Sequence, residues 1–217
     1  ALFENAQLIN RFPQVDFIYS DEDKITLDGK YTEPFFKPDW SPDLFRSQMY
    51  VGHLCVIRRA LVQEAGGFRL GFEGSQDYDL ILRVTEKAKH IAHIPKVLYH
   101  WRKLPTSTAG GFAAKPYAHE AGLLALQEHA ERLWGKGACE VQEGDFFFQY
   151  KTKFLLPEPP LVSIIIPTKD HAALLSVCID SILEKSTYPN YEILVLNNNS
   201  EEPESFAYFE RLAADAA

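Results

Sequence analysis

The stretch 161–200 constrains the fold most, because it places two short apolar runs on either side of one amphipathic helical pattern. The runs are LVSIII at 161–166 and YEILVL at 191–196, and each has the length and continuity of a buried strand. Between them, Leu175 and Ile179 share one face of a predicted helix. Two buried strands joined by a single helix form a parallel pair with a right-handed crossover. The sequence therefore predicts a β-α-β unit and an α/β fold.

Polar clusters follow both predicted strands, with PTKD at 167–170 and NNNS at 197–200. In an open parallel sheet, ligands bind beyond the carboxyl ends of the strands, which meet at one edge. The two clusters therefore predict a small-ligand or nucleotide site. A structural interpretation of each cluster stays open, because Asp170 stands where a helix N-cap would and Asn-rich segments commonly form turns.

Composition and charge narrow the class of partner. The chain has 217 residues, is 46% hydrophobic and carries a formal net charge of −8, which is typical of a globular protein. Without a basic stripe, nucleic acid is not an expected partner, although a single nucleotide is compatible with this charge. The apolar runs are far shorter than the roughly 20 residues that span a bilayer, so we expect no transmembrane segment.

The cysteines and the chain ends carry two further expectations. Cys55, Cys139 and Cys178 lie far apart without C-x-x-C spacing, which favours a reducing compartment. The chain starts at Ala1 rather than Met, and its last helical pattern has no terminating signal. We therefore expect a piece of a longer protein.

The other segments have recognisable patterns. They predict a helix at 2–11, a strand at 15–20 that ends in the polar run SDEDK, a strand followed by a helix at 53–68, a helix at 116–134, and an extended connector at 141–160.

The string EGSQDYDLILRV at 73–84 places Asp77 and Asp79 at the start of a short apolar helix. A carboxylate at this position accepts hydrogen bonds from unpaired backbone N–H groups and meets the positive end of the helix dipole. Helix capping and catalysis are therefore both open for these two residues from the pattern alone.

The segment PLVSIIIPTKD…YEILVLNNNS resembles the opening half of a family-2 glycosyltransferase domain of the GT-A fold, which is a Rossmann-like, mixed and mostly parallel sheet with flanking helices. In that family this half binds the base and ribose of a sugar nucleotide. The resemblance implies nucleotide-binding roles for Thr168, Asp170, Asn197 and Asn198. Asn197 stands where the family usually has Asp.

Residues 1–112 resemble the closing half of another such domain, of the kind found in bacterial O-antigen and polysaccharide synthesis. The resemblance is carried by VDFIYSDEDKI, FFKPDWSPDLF, YVGHLCVIRRALVQEAGGF, GFEGSQDYDLILRVTE and HIPKVLYHWR. Because the closing half precedes the opening half, the resemblance implies two partial domains, at 1–112 and 161–217, with a helical and extended linker at 113–160.

The resemblance also implies a reaction. An enzyme of this family would transfer a sugar from a UDP- or dTDP-linked donor to a glycan or lipid-linked acceptor, with inversion and with Mn²⁺ or Mg²⁺ as cofactor. Asp77 would be the base that deprotonates the acceptor hydroxyl, and Asp79 its supporting partner. The protein would be cytoplasmic and peripheral at the inner face of the membrane. Since neither half-domain is complete, we expect the isolated chain to be inactive, and a non-catalytic nucleotide- or glycan-binding scaffold module is the alternative.

The string SDEDK gives Asp21 and Asp23 the D-x-D spacing with which sugar-nucleotide enzymes hold a divalent metal. In the resembled family that motif lies upstream of the helix that begins this chain. The resemblance therefore implies an acceptor- or phosphate-side role for these two residues. Arg102 is a candidate to offset diphosphate charge on the same side. Trp40 and Trp101 are candidates to stack on a sugar ring, although Trp is more often buried for its area. A solvated turn is the alternative interpretation of the acidic run.

The histidines divide into two kinds. His90 and His93 have an odd spacing within a strand-like segment, so they point to opposite faces and are expected to be structural. His100 stands at a predicted strand end where some GT-A enzymes place a metal ligand. The resemblance makes it a candidate ligand.

Overall fold

The computed structural model describes residues 1–104 and 116–215, and it divides the chain into two compact units, residues 1–155 and 156–217. The expected domain boundary at residue 112 lies outside the described residues. In chain order the elements are α1 (Leu2–Arg11), β1 (Phe17–Ile25), β2 (Tyr31–Phe35), α2 (Pro42–Ser47), β3 (Cys55–Ile57), α3 (Arg59–Glu64), α4 (Gln76–Thr85), β4 (Ile91–Arg102), α5 (Pro116–Trp134), β5 (Cys139–Glu143), β6 (Tyr150–Phe154), β7 (Val162–Thr168), α6 (Ala172–Lys185), β8 (Tyr191–Asn197) and α7 (Pro203–Asp215).

Strand β1 is the centre of a four-stranded sheet in the first unit. β4 lies parallel to it along its whole length, from Phe17 beside Ile91 to Ile25 beside Arg102. On the other side, β3 pairs antiparallel with the first half of β1 and β2 pairs antiparallel with the second half. The predicted α/β class with a mixed sheet is confirmed.

The acidic run SDEDK lies inside β1 rather than after it. The prediction that the strand ends at Ser20 is wrong, because β2 supplies antiparallel partners further along, with Lys24 opposite Thr32. Asp21 and Asp23 are only 3% and 9% exposed. The interpretation of this run as a solvated turn is therefore wrong as well. A buried carboxylate needs hydrogen-bond or ion-pair partners, and both residues have them.

The segment after the undescribed residues completes the core of the first unit. α5 contributes Ala125 and Leu126 to the same buried cluster as Phe17 and Tyr19 of β1. The predicted extended connector is instead a hairpin, in which β5 and β6 pair antiparallel from Cys139 to Glu143. The loop between these strands lacks the two-residue Asn-Gly or Asp-Gly signature that makes a hairpin recognisable in sequence.

Gly122 allows α5 to approach β6 closely. A Cβ atom at this position would lie 2.0 Å from the hydroxyl oxygen of Tyr150. That hydroxyl donates to the carbonyl oxygen of His119 at 3.3 Å, and the Tyr150 ring stacks on Tyr78 with ring centroids 5.9 Å apart. Tyr150 of β6 thus contacts both Tyr78 of α4 and His119 of α5.

The second unit is the predicted β-α-β segment followed by a helix. β7 and β8 are parallel and in register from Val162 beside Tyr191 to Thr168 beside Asn197, which confirms the prediction. The buried residues of this unit's core are Leu175, Ile179 and Tyr208, from α6 and α7. Throughout both described ranges, each helix is too short or too polar to cross a membrane.

Candidate active site

Asp77 lies in the exposed first turn of α4. Ser75 is the N-cap residue, so Asp77 is the second residue of the helix and its interpretation as the N-cap is wrong. Its Oδ1 accepts a hydrogen bond from the backbone N–H of Tyr78 at 2.8 Å, and the carboxylate lies at the positive end of the helix. The next side chain, that of Tyr78, is buried in the core and fixes the turn. Asp77 is therefore an accessible carboxylate on a rigid support.

Asp79 has the opposite environment, since it is 1% exposed and faces two guanidinium groups. Arg69 donates from Nε to Oδ2 at 3.2 Å and from Nη2 to Oδ1, and Arg83 donates from Nη2 to Oδ2 at 2.5 Å. Burial alone would raise the pKa of Asp79, but the hydrogen bonds from Arg69 and Arg83 outweigh it and hold the pKa below its ordinary value of 3.8. This ion cluster fastens α4 in place two residues from Asp77.

Asp21 is paired with His93 across β1 and β4. His93 Nε2 lies 2.8 Å from Asp21 Oδ1, and that oxygen also accepts the backbone N–H of Lys37 at 2.9 Å. The ring of His93 stacks on Tyr19 with centroids 4.8 Å apart, and its Nδ1 lies 3.3 Å from Oδ1 of the exposed Asp39. Asp21 and His93 thus anchor the loop that follows β2.

Asp23 is paired with His100, whose Nδ1 lies 2.5 Å from Oδ1 of the carboxylate. The His100 side chain is 43% exposed, and its ring lies 4.5 Å from that of Tyr31. A carboxylate on one ring nitrogen orients an imidazole so that the other nitrogen is available to bind a metal or a proton. Nearby, Lys103 pairs with Glu33, and Arg102 is exposed.

Glu22, the middle residue of the acidic run, holds a buried lysine. The Lys37 ammonium is inaccessible to solvent and lies 3.1 Å from Glu22 Oε2. It also donates to the carbonyl oxygens of Val51 and His53 at 2.7 and 2.8 Å. Burial lowers the pKa of Lys37, and the nearby carboxylate of Glu22 opposes that shift. The pair ties β1 to the turn that precedes β3.

The charges of Asp77 and Glu22 act on one side chain, Cys55. Burial raises the pKa of its thiol to about 12, the charges of Asp77 and Glu22 act in the same direction, and Lys37 opposes them. The thiol donates to the carbonyl oxygen of Gly52 at 3.0 Å.

Trp101 lies in an aromatic group at the end of β4. Its ring is 5.1 Å from that of His53, and His53 also stacks on Tyr99 at 4.7 Å with the two planes 16° apart. Trp40 has a different environment, since it packs against Phe45 at the edge of the core. Of the two tryptophans considered for sugar stacking, Trp101 is the one beside the half-exposed imidazole of His53.

The four candidate nucleotide-binding residues lie together at the carboxyl edge of the β7–β8 pair in the second unit. The Thr168 hydroxyl donates to the carbonyl oxygen of Asp170 at 3.1 Å, and the N–H of Asn198 donates to the carbonyl oxygen of Thr168 at 2.7 Å. Asn197 Oδ1 accepts the N–H of Ser200 at 2.9 Å. These bonds join the two loops into one edge.

Asp170 is not the N-cap of α6, because His171 occupies that position. Both residues have positive φ angles, 55° and 56°, and this turns the Asp170 carboxylate away from the helix that follows. Its Oδ1 instead accepts the N–H groups of Glu201 and Glu202 at 2.7 and 2.9 Å. The hydrogen bond from Glu202 is the main reason that the pKa of Asp170 lies below its ordinary value.

Within residues 1–104 and 116–215, no three His, Cys, Asp or Glu side chains are arranged to hold a metal ion. His100 offers one nitrogen, since its other nitrogen is bonded to Asp23. The described residues do not by themselves fit the expected divalent metal.

Three residues that fix the acidic side chains of the first unit were not predicted from the sequence. Lys37 and His53 had no recognisable signal, because their partner Glu22 lies 15 and 31 residues away in the chain. Arg83 had one, since it follows Asp79 at i+4 with the charge order that helices use for ion pairs.

Two curated relatives match nearly the whole chain, and a family model matches its second unit. Residues 163–215 match the model described as glycosyl transferase family 2. "Uncharacterized protein y4gI" of Sinorhizobium fredii (strain NBRC 101917 / NGR234) is 46% identical over 211 residues, which cover 96% of this chain and 23% of that protein. "O-antigen biosynthesis protein RfbC" of Myxococcus xanthus is 41% identical over 211 residues, which cover 97% of this chain and 16% of that protein. The chain thus spans less than a quarter of the length of either relative.

Proposed function

Because the chain is of the family-2 glycosyltransferase type, with residues 163–215 matching that family's model, we propose that it is part of an inverting enzyme of bacterial cell-surface polysaccharide synthesis. The enzyme takes its sugar from a UDP- or dTDP-linked donor and gives it to a glycan or lipid-linked acceptor. It works in the cytoplasm, peripheral at the inner face of the membrane. The printed name of the Myxococcus relative supports the biosynthetic context.

The observation that carries the proposal is the contrast between Asp77 and Asp79 at the start of α4. Asp77 is exposed, while Asp79 is buried against Arg69 and Arg83. One carboxylate is thus free to meet substrate and the other fixes the helix that presents it. A general base must come within about 2.6–3.2 Å of the hydroxyl that it deprotonates, which only an accessible side chain on a fixed support can do repeatedly.

In the proposed reaction, the acceptor hydroxyl attacks the anomeric carbon from the face opposite the leaving group. The new C–O bond forms as the bond to the nucleoside diphosphate breaks, and the diphosphate leaves with that electron pair. Asp77 takes the hydroxyl proton and releases it to solvent.

We assign a nucleotide of the second partial domain to the edge formed by Thr168, Asp170, Asn197 and Asn198. Asp170 and Asn197 accept hydrogen bonds from backbone N–H groups, and these bonds fix the shape of the edge. The exposed Asn198 presents its amide to the base. We propose a closing half-domain that includes 1–112 and an opening half-domain at 161–217. Within the expected linker at 113–160, α5, β5 and β6 belong to the first compact unit.

The test is transfer by the full-length protein that contains this chain. It is incubated with UDP- and dTDP-sugars and lipid-linked oligosaccharide, and nucleoside diphosphate release is measured together with the anomeric configuration of the product by ¹H NMR. We expect release coupled to an inverted anomer. A retained anomer would contradict the proposal, and nucleotide or glycan binding without turnover would establish the alternative, a scaffold module.

A further inference from the structure

His53 stands on a turn that the first unit holds at several points. Its backbone N–H donates to Glu22 Oε2 at 2.8 Å, and its carbonyl oxygen accepts the buried ammonium of Lys37. The preceding Gly52 has φ +40°, and a Cβ there would lie 3.0 Å from Glu22 Oε2. A left-handed backbone and a close carboxylate both favour glycine. The backbone of His53 is therefore fixed from two sides.

The imidazole of His53 is fixed as well. It stacks on Tyr99 and lies 5.1 Å from Trp101, two residues that share one face of β4 because they are two positions apart. Its Nδ1 is buried and lies 3.6 Å from Glu22 Oε2. The side chain is nevertheless 40% exposed, so its accessible part is the edge that carries Nε2.

We propose that His53 is a specificity-determining residue of the acceptor subsite, where the His53 and Trp101 rings receive one sugar ring and His53 Nε2 hydrogen-bonds one of its hydroxyl groups. A sugar has apolar C–H faces that pack on aromatic rings and hydroxyl groups at its rim. A rigid aromatic surface with one polar atom at its edge matches that chemistry.

The subsite is assigned to the acceptor, rather than to the donor, because of the position of Asp77, and this assignment rests on the proposed function. Tyr78, the residue after Asp77, packs in the same buried cluster as Val51, which lies two residues before His53. The base must touch the acceptor hydroxyl, so the residues around it line the acceptor subsite. His53 and Trp101 belong to the same unit as Asp77.

A site that hydrogen-bonds one substrate hydroxyl discriminates against the analogue that lacks it, because the bound sugar covers His53 Nε2 and leaves it unpaired. His53 therefore selects the acceptor sugar by the position and configuration of one hydroxyl. The same hydrogen bond is lost when either the imidazole or that hydroxyl is removed. The two losses of binding free energy should therefore not add.

The experiment titrates methyl β-glycosides of glucose, galactose and N-acetylglucosamine, and the monodeoxy analogues of the tightest binder, into the 217-residue chain by saturation-transfer difference NMR. In the wild type we expect one monodeoxy analogue to bind about tenfold more weakly than its parent. In His53→Ala the parent glycoside weakens by a similar factor, and that analogue weakens no further. His53→Gln, which keeps a hydrogen-bonding group, restores most of the affinity.

His90→Ala is the matched control, since His90 is exposed and precedes the opposite end of β4, roughly 35 Å along the strand from Trp101 at about 3.3 Å per residue. Its dissociation constants should equal those of the wild type. Equal weakening in His90→Ala, unchanged binding in His53→Ala, or no saturable binding of any glycoside by the wild type would each overturn the inference. Because the readout is glycoside binding, failure of the proposed transfer reaction is detected separately, by turnover.

Discussion

Replacing Asp79 by Asn removes the one negative charge that faces both Arg69 and Arg83 while keeping the size of the side chain. The Asp79 side chain is 1% exposed, and those of Arg83 and Arg69 are 8% and 33% exposed. The substitution therefore leaves one guanidinium buried without its counter-ion. Arg69 can keep its contact with Glu128 at 2.8 Å, so the cost comes mainly from Arg83.

The magnitude follows from that difference in burial. Removing one partner of a buried ion pair costs about 3–5 kcal/mol, because the remaining charge stays desolvated. Arg83 retains hydrogen bonds to the carbonyl oxygens of Ala65 and Gly67, and the amide oxygen introduced by the substitution can still accept one bond. We therefore expect Asp79→Asn to lower the free energy of unfolding of the first unit by about 3 kcal/mol, the lower end of that range.

Urea unfolding followed by tryptophan fluorescence reports on the first unit alone, because Trp40, Trp101 and Trp134 all lie within residues 1–155. The matched control is Glu64→Gln, which breaks an ion pair with Lys87 whose side chains are 62% and 40% exposed. The control should lose less than about 1 kcal/mol. A loss of that small size in Asp79→Asn would refute the reasoning that Asp79 fastens α4.

Three further changes test the packing and electrostatics of the first unit by the same fluorescence assay. Gly122→Ala places a Cβ 2.0 Å from the Tyr150 hydroxyl. This overpacking should lower the free energy of unfolding by about 1–3 kcal/mol, despite the better helix propensity of Ala. The control Glu120→Ala, at an exposed position of the same helix, should lower it little. Acid should destabilise the unit, because hydrogen bonds and charges from His53 and Lys37 hold the pKa of Glu22 below its ordinary value of 4.5, and those from His129 and Arg132 do the same for Glu86, in both cases against the effect of burial. A lowered folded-state pKa means that the stability from the ionised carboxylates is present above the unfolded-state pKa and is lost as the pH falls through the folded-state pKa. The urea midpoint should therefore hold between about pH 5 and pH 8 and drop below pH 4.5. A constant midpoint down to about pH 3 would contradict this expectation. Lys37→Met leaves Glu22 buried without its counter-ion and should lower the midpoint at neutral pH more than Lys30→Met, whose ion pair is exposed.

The sequence was sufficient where local periodicity decides the structure. The β7–α6–β8 unit was predictable because its apolar runs and helical face are continuous in the chain, and α1 and α5 followed from helical spacing. The acidic pair of α4 was also recognisable, since carboxylates at a helix start are a local signal. Asp77 and Asp79 both lie in the first turn of α4, and two positions apart on a helix they face different directions, which is why one is exposed and the other buried.

The sequence was insufficient where distant partners decide the structure. β1 continues through three acidic residues because His93 and His100 pair with Asp21 and Asp23 from 72 and 77 residues away. Asp170 left the predicted N-cap position because two successive left-handed residues turn its carboxylate toward the segment that leads into α7. His53 became a candidate only when Glu22, Tyr99 and Trp101 surrounded it.

The base assignment of Asp77 is tested most directly by the turnover of Asp77→Asn in the full-length protein. The matched control is Asp43→Asn, because Asp43 is also exposed and is also the second residue of a helix that follows a serine N-cap. Nucleoside diphosphate release measures turnover, and calorimetry measures the affinity for the donor.

Asp77→Asn should lower turnover about 10²–10⁴-fold, as loss of a general base does, with the donor affinity unchanged. Asp43→Asn should behave as the wild type in both measurements. Turnover of Asp77→Asn within about threefold of the wild type, well below the effect of losing a base, would show that this carboxylate does not deprotonate the acceptor.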